Sequence, residues 1–189
     1  MKDERDVKVL AIVGMSGSGK SVVVDYLSEK GIPKIYFGGI VYQAQAEAGI
    51  EQSPENDKKF REESRQKWGK DWVLQRAIVE ADKLIEAGQK RIVLDGLYSW
   101  TEYKILKQKY PTELTVIAVV VPRKLRYKRV AKRPKRPFNG QEIRERDYSE
   151  VDNLEKGGPI AMADYYLLND GTIAELHDDL ERVLGEIEF

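Results

Sequence analysis

The sequence predicts an α/β fold in which a five-stranded parallel sheet carries helices on both faces. Three observations predict it. Runs that are apolar almost throughout, such as Val7 to Val13 (VKVLAIV) and Leu114 to Val121 (LTVIAVVV), read as strands buried on both faces. Between such runs the apolar spacing changes to the helical period. Glycine turns and capping signals separate the two kinds of segment, so strands alternate with helices along the chain, which is the pattern of a doubly wound sheet. In such sheets ligands bind beyond the carboxyl ends of the strands.

Val7 to Val13 is the first strand, and a glycine-rich turn leads from it into a helix over Ser21 to Lys30 that Gly31 stops. Ile32 to Phe37 is a short second strand, with Pro33 at its start where a missing N–H is tolerable. Gly38 to Ala87 is helical, broken at Gly49 to Ser53 and again near Gly69. Ser53-Pro54 is an N-cap followed by proline at the first helical position, and Asp71 can cap the next helix, which ends at Gly88. Arg91 to Asp95 (RIVLD) is the third strand. Ser99 and Glu102 have capping-box spacing for a helix to about Lys109, and Leu114 to Val121 is the fourth strand. Arg123 to Arg133 is a basic helix, and Arg133 to Gly140, with its prolines and cations, is a loop. Asn139 and Glu142 open a charged helix reaching about Lys156. Tyr165 to Leu168 is the fifth strand, and Thr172 with Glu175 caps the last helix.

Composition narrows the function. The 189 residues, 41% of them hydrophobic, suffice for one compact domain, 1–189. Lys plus Arg and Asp plus Glu both number 32, so the chain has no global attraction for nucleic acid or membrane, and any basic chemistry is local. The absence of cysteine removes disulfides, thiolate nucleophiles and Cys-based zinc sites. His177 is the one histidine and reads as a surface residue of the last helix. The start MKDERD is charged, and no run approaches the roughly 20 apolar residues of a membrane span. A soluble, cytoplasmic protein with a small-molecule partner, and neither membrane nor nucleic acid, is the expectation.

Gly14-Met15-Ser16-Gly17-Ser18-Gly19-Lys20-Ser21 fits GxxxxGK[ST] between a predicted strand and a predicted helix. Glycines let successive N–H groups turn inward around phosphate oxygens, and the helix N-terminus adds partial positive charge. The motif and the following Val22 form the nucleotide cradle, in which Lys20 reaches the β- and γ-phosphates and Ser21 is a ligand for Mg²⁺. Asp95, leaving an apolar strand on the same sheet edge, can hold a magnesium-bound water or lie near the phosphoryl acceptor. The series Arg123, Arg126, Arg129, Arg133 and Arg136 offers guanidinium groups that can close over developing phosphoryl charge. Together these features predict a P-loop NTPase three-layer sandwich with an Arg-rich lid at 133–146.

These residues resemble the nucleotide-kinase branch of P-loop proteins, which includes adenylate kinases, dephospho-coenzyme A kinases and their uncharacterised relatives. The likeness runs nearly the whole chain: GMSGSGKS resembles their P-loop, RIVLDGL their strand ending in Asp-Gly, RVAKR their helix leading into the lid, and ADYYLLNDGT their terminal strand and turn. The resemblance implies an ATP- and Mg²⁺-dependent kinase. By it, the helical segment 38–88 would be an acceptor-binding insertion, Arg129 would stack on adenine, Arg133 would contact ATP phosphates, Arg136 and Arg146 would be lid arginines, and the turn at Asn169 and Gly171 would border the adenine.

The departures lie on the acceptor side. Where relatives carry an acid or Asp-x-x-Arg after the second strand, this chain has Gly39-Ile40-Val41-Tyr42, and beyond Asp95-Gly96 an expected arginine is absent from Leu97-Tyr98-Ser99. Gly39, Tyr42, Tyr98, Arg65 and Arg76 are the candidate acceptor-side residues, and AMP is expected to be a poor acceptor. A nucleotide- or nucleoside-like acceptor leads, with dephospho-coenzyme A as the second kinase reading and a nucleotide-dependent switch as the non-enzymatic one.

Overall fold

The computed structural model describes residues 6–134 and 137–189. Its strands are β1 (Lys8–Val13), β2 (Lys34–Tyr36), β3 (Arg91–Asp95), β4 (Leu114–Val120) and β5 (Tyr165–Leu168), all parallel, in the order β2-β3-β1-β4-β5. The helices are α1 (Lys20–Glu29), α2 (Phe37–Glu47), α3 (Pro54–Trp68), α4 (Trp72–Glu86), α5 (Trp100–Lys109), α6 (Arg123–Ala131), α7 (Gly140–Asp152), α8 (Gly157–Ala161) and α9 (Ile173–Glu186).

Strand alternation divides the core into two layers. Val9, Ala11 and Val13 of β1 face one way, against Phe37 and Ala44 of α2, Leu74 and Ala77 of α4 and Leu106 of α5. Leu10 and Ile12 face the other way, against Val23 and Leu27 of α1 and Leu176 and Leu180 of α9. Because β1 is covered on both faces, its sequence is apolar at successive positions and not merely at alternate ones. Truncating a side chain such as Leu10, which is fully buried, to alanine costs about 2–5 kcal/mol.

The capping chemistry follows the sequence. Ser99, Asn139 and Thr172 each accept an N–H bond from the third helical residue, and Glu102, Glu142 and Glu175 each reach back to the cap, closing capping boxes. Asp71 differs: it precedes α4, but its carboxylate accepts from the Gln75 side chain and makes no cap bond to the backbone. The helix expected to run from Arg123 to Arg133 stops at Ala131, since Pro134 disfavours helical backbone just before it. The helix expected to reach Lys156 ends at Asp152. There Glu155, at φ 57, turns the chain through left-handed backbone, and α8 follows. Among the described residues, no helix is long and apolar enough to cross a membrane.

Candidate functional site

The fully covered β1 ends at Val13 and hands the chain to a loop of glycines at the carboxyl edge of the sheet. Gly14, Gly17 and Gly19 have φ values of 148, 85 and 99, two of them deep in left-handed territory, and neighbouring atoms close on each of them. A Cβ on Gly17 would lie 2.3 Å from Val130, and one on Gly19 would lie 2.2 Å from Asn169 Nδ2. The loop therefore has its backbone pressed against α6 and the turn after β5, leaving no room for side chains. Asn169 Nδ2 donates to Ser18 O at 2.8 Å and the Asn169 N–H to Val120 O at 2.8 Å, which anchors that turn to both the loop and β4.

Lys20 Nζ donates to Gly14 O at 2.8 Å and to Met15 O at 3.2 Å, so the ammonium lies inside the loop's own curve. Burial lowers its pKa from 10.5 to about 7, and the Lys156 charge nearby adds to this, with Glu150 and Asp95 pulling the other way. An incoming anion would reverse that effect. Ser21, next along, is exposed at the first turn of α1, and Val22 is partly buried against the core.

Asp95 sits at the end of β3, opposite Ile12 of β1 and Tyr36 of β2. Burial raises its pKa while Lys20 and Lys34 pull it down, so Asp95 is within electrostatic reach of the P-loop lysine. Gly96, at φ 136, brings the chain against Phe37 and on to Tyr98, whose phenol burial holds well above its ordinary pKa. Tyr98 is partly buried and meets Phe37 edge to face at 6.4 Å between ring centroids.

The arginine series divides into distinct roles. Arg126 is buried, donates to Asp147 through both guanidinium branches, and donates to Ser16 O at 3.0 Å, so it joins α6, α7 and the loop. Arg129 Nη1 donates to Asn169 O at 2.6 Å, and its second branch points to Gly171 O at 3.5 Å, along the turn after β5. Arg133 stands over the loop, with a guanidinium nitrogen 3.6 Å from where a Cβ on Gly17 would be, and its charge is felt at Lys20. Arg136 lies outside the described residues. Arg146 bonds Glu150.

On the insertion, Arg65 is close enough to Glu102 to be felt there: burial raises that carboxyl's pKa, and the Tyr98 and Ser99 N–H groups it accepts from, together with the Arg65 charge, pull against the rise. Arg76 lies elsewhere: it stacks over Trp68 and Trp72, at 5.7 and 5.2 Å, and stands 4.0 Å from Glu47 beside an open groove between α2 and α4. Gly39 packs under the Tyr36 ring, and Tyr42 is half-buried on α2. His177, rather than standing free on the surface, stacks on Tyr26 at 4.0 Å.

Sequence reasoning missed Glu150 and Lys156. Both are buried, and they meet at 3.0 Å, while Glu150 Oε2 accepts the Ser16 N–H at 2.9 Å. The i,i+4 spacing of Arg146 and Glu150 was the available signal. Lys156 gave none, because a lysine at a helix end is ordinarily exposed.

Comparison with known proteins agrees with this fold. A UPF0200 protein of Thermococcus kodakarensis is 31% identical over 182 residues, covering 95% of this chain and 97% of that one. Shikimate kinase from Bacteroides thetaiotaomicron superposes with a TM-score of 0.59 at 9% identity, covering 96% of this chain and 99% of the other. Dephospho-CoA kinase from Campylobacter jejuni gives 0.52 at 17% identity, covering 96% and 98%. At those identities the two structures speak for the fold, a P-loop kinase sandwich, and for nothing finer. The family model of the AAA domain, AAA_18, matches residues 10–151, which contain the glycine loop, Asp95 and Arg133, and the chain belongs to that P-loop family.

Proposed function

We propose that the chain is an ATP-dependent kinase that transfers the γ-phosphoryl group of ATP to a nucleotide- or nucleoside-like small molecule. The observation that carries this reading is the convergence of Lys20, Asp95 and Arg133 at one sheet edge, with α7 docked on the glycine loop through the Arg126–Asp147 pair and Glu150. A loop that only stored nucleotide would not need an acid and a lid on the side where an acceptor must enter.

The residues divide the work as follows. N–H groups of Gly17 to Ser21 hold the β- and γ-phosphates, and Lys20 moves from its loop carbonyls onto them. Arg129 and the turn at Asn169 and Gly171 border the base. Arg133 neutralises charge on the equatorial oxygens as the bond from Pγ to the β-phosphate oxygen breaks and the bond to the acceptor oxygen forms. Arg136 and Arg146 would assist from the lid. Mg²⁺ would be held by the Ser21 hydroxyl, exposed at the first turn of α1, and through a water by Asp95 at the end of β3. Bound there, the ion would supply neutralisation of phosphate charge. Gly39, Tyr42, Tyr98 and Arg65 line the acceptor side, and Arg76 would join them only through movement of α4.

One observation favours a hydroxyl acceptor, as in the dephospho-coenzyme A reading. Burial raises the Asp95 pKa, which makes this carboxylate a better proton acceptor than an exposed one. The test is incubation with Mg-ATP and a panel of nucleoside monophosphates, nucleosides and dephospho-coenzyme A. Formation of a phosphorylated small molecule supports the kinase. ATP hydrolysis indifferent to every acceptor supports a switch instead.

A further inference from the structure

Glu150 is 1% exposed, yet it accepts from donors of three different kinds: the Ser16 main-chain N–H at 2.9 Å, Lys156 Nζ at 3.0 Å and Arg146 Nε at 3.0 Å. Burial alone would raise its pKa, but Lys156, the Ser16 N–H and Arg146 outweigh burial and keep it ionised. A loop amide, an ammonium and a guanidinium around one anion form the donor set with which proteins hold phosphate. The carboxylate sits where such an anion would sit.

The location of these donors is specific. Lys156 is 5% exposed, stands 4.8 Å over the Tyr98 ring and is close enough to Lys20 to weaken that lysine's hold on its proton. The donor set therefore borders the glycine loop on the side of Tyr98. A buried ion pair contributes little to stability against a well-packed apolar alternative, so stability alone is a weak reason for this one. Arg146 keeps 44% of its side chain exposed, which leaves the cluster reachable from solvent on that side.

We propose that the Ser16 N–H, Lys156 and Arg146 form a second oxyanion subsite beside the phosphate loop, with the Glu150 carboxylate as its resident stand-in, displaced by a phosphate-type group of a ligand. The subsite rests on and deepens the kinase reading. Its occupant is either the γ-phosphate of the nucleotide or an anionic group on the acceptor.

Titration calorimetry with inorganic phosphate on the ligand-free protein tests the subsite without any nucleotide. Glu150→Gln removes the competing charge at nearly constant size, and phosphate should bind at least tenfold tighter. Two further arms on that variant separate the sources. Tighter ATP binding with unchanged ADP binding identifies the γ-phosphate, and tighter phosphate binding to protein saturated with a nonhydrolysable ATP analogue identifies the acceptor's anion. Unchanged or weaker phosphate binding in a folded Glu150→Gln protein overturns the proposal. Should that variant not fold by circular dichroism, Arg146→Gln, at an exposed side chain, decides: phosphate affinity should fall at least threefold, and an unchanged value overturns the subsite. Failure of the kinase reading looks different, since phosphate binding would shift as expected while no acceptor is phosphorylated.

Discussion

Arg126 and Asp147 form a buried two-pronged ion pair, with Nη1 2.6 Å from Oδ1 and the second branch on Oδ2, while side-chain exposures are 6% and 12%. Arg126 also donates to Ser16 O, and the Tyr127 hydroxyl donates to Asp147 at 3.0 Å. One charged joint thus fastens α6 and α7 to the phosphate loop. Asp147→Ala leaves the guanidinium buried and unpaired, and should cost about 3–5 kcal/mol in urea unfolding. A loss below about 1 kcal/mol, the range of exposed pairs, would mean that the joint is solvated in solution.

Gly19 offers a separate test of the loop's packing. At φ 99 an alanine adopts left-handed backbone at a cost of about 1–2 kcal/mol, and its Cβ would meet Asn169 Nδ2. Gly19→Ala should therefore break the Asn169 bond to Ser18 and weaken nucleotide binding at least tenfold. Wild-type affinity in fluorescence titration would show that the turn and the loop are not coupled.

The lowered pKa of Lys20 predicts proton uptake. At pH 8 an amine with pKa about 7 is mostly neutral, and phosphates favour its charged form, so nucleotide binding should draw in protons and weaken as pH rises above about 7. Calorimetry in buffers of different ionisation enthalpy reads this uptake directly. The same shift has a sign for stability. Between pH 7 and 10.5 the unfolded chain holds a proton that the folded chain lacks, so this group's contribution to stability grows as pH rises through that window. Absence of proton uptake at pH 8 would contradict the buried, neutral lysine.

Asp95→Asn keeps the size and removes the charge at the end of β3. Turnover should fall at least a hundredfold while ATP affinity changes less than about threefold, because the role assigned to the carboxylate arises only when nucleotide and acceptor are both in place. Collapse of ATP binding with persistent turnover of bound ATP would remove Asp95 from that role.

Much of the fold was legible because its signals are local. β1 and β4 declare themselves as unbroken apolar runs, and the capping boxes at Ser99, Asn139 and Thr172 lie within four residues each. The glycine loop was legible for the same reason. What escaped depends on distant partners. Glu150 meets Ser16 across 134 positions, and Arg126 meets Asp147 across 21, so neither pairing leaves a trace in spacing. Arg126 thereby becomes a buried structural cation, while its series neighbours Arg129 and Arg133 face the turn and the loop. The end of α7 escaped because Glu155 takes up left-handed backbone without being glycine.

Transfer of label from γ-labelled ATP, followed by separation of small-molecule products from free phosphate, tests the central claim most directly. With the right member of the acceptor panel, the label should appear in a phosphorylated small molecule at a rate that depends on acceptor concentration. Lys20→Ala should abolish that product and leave the circular dichroism spectrum unchanged. Label recovered only as free phosphate, at a rate no acceptor changes, or transfer that survives Lys20→Ala, would contradict the account.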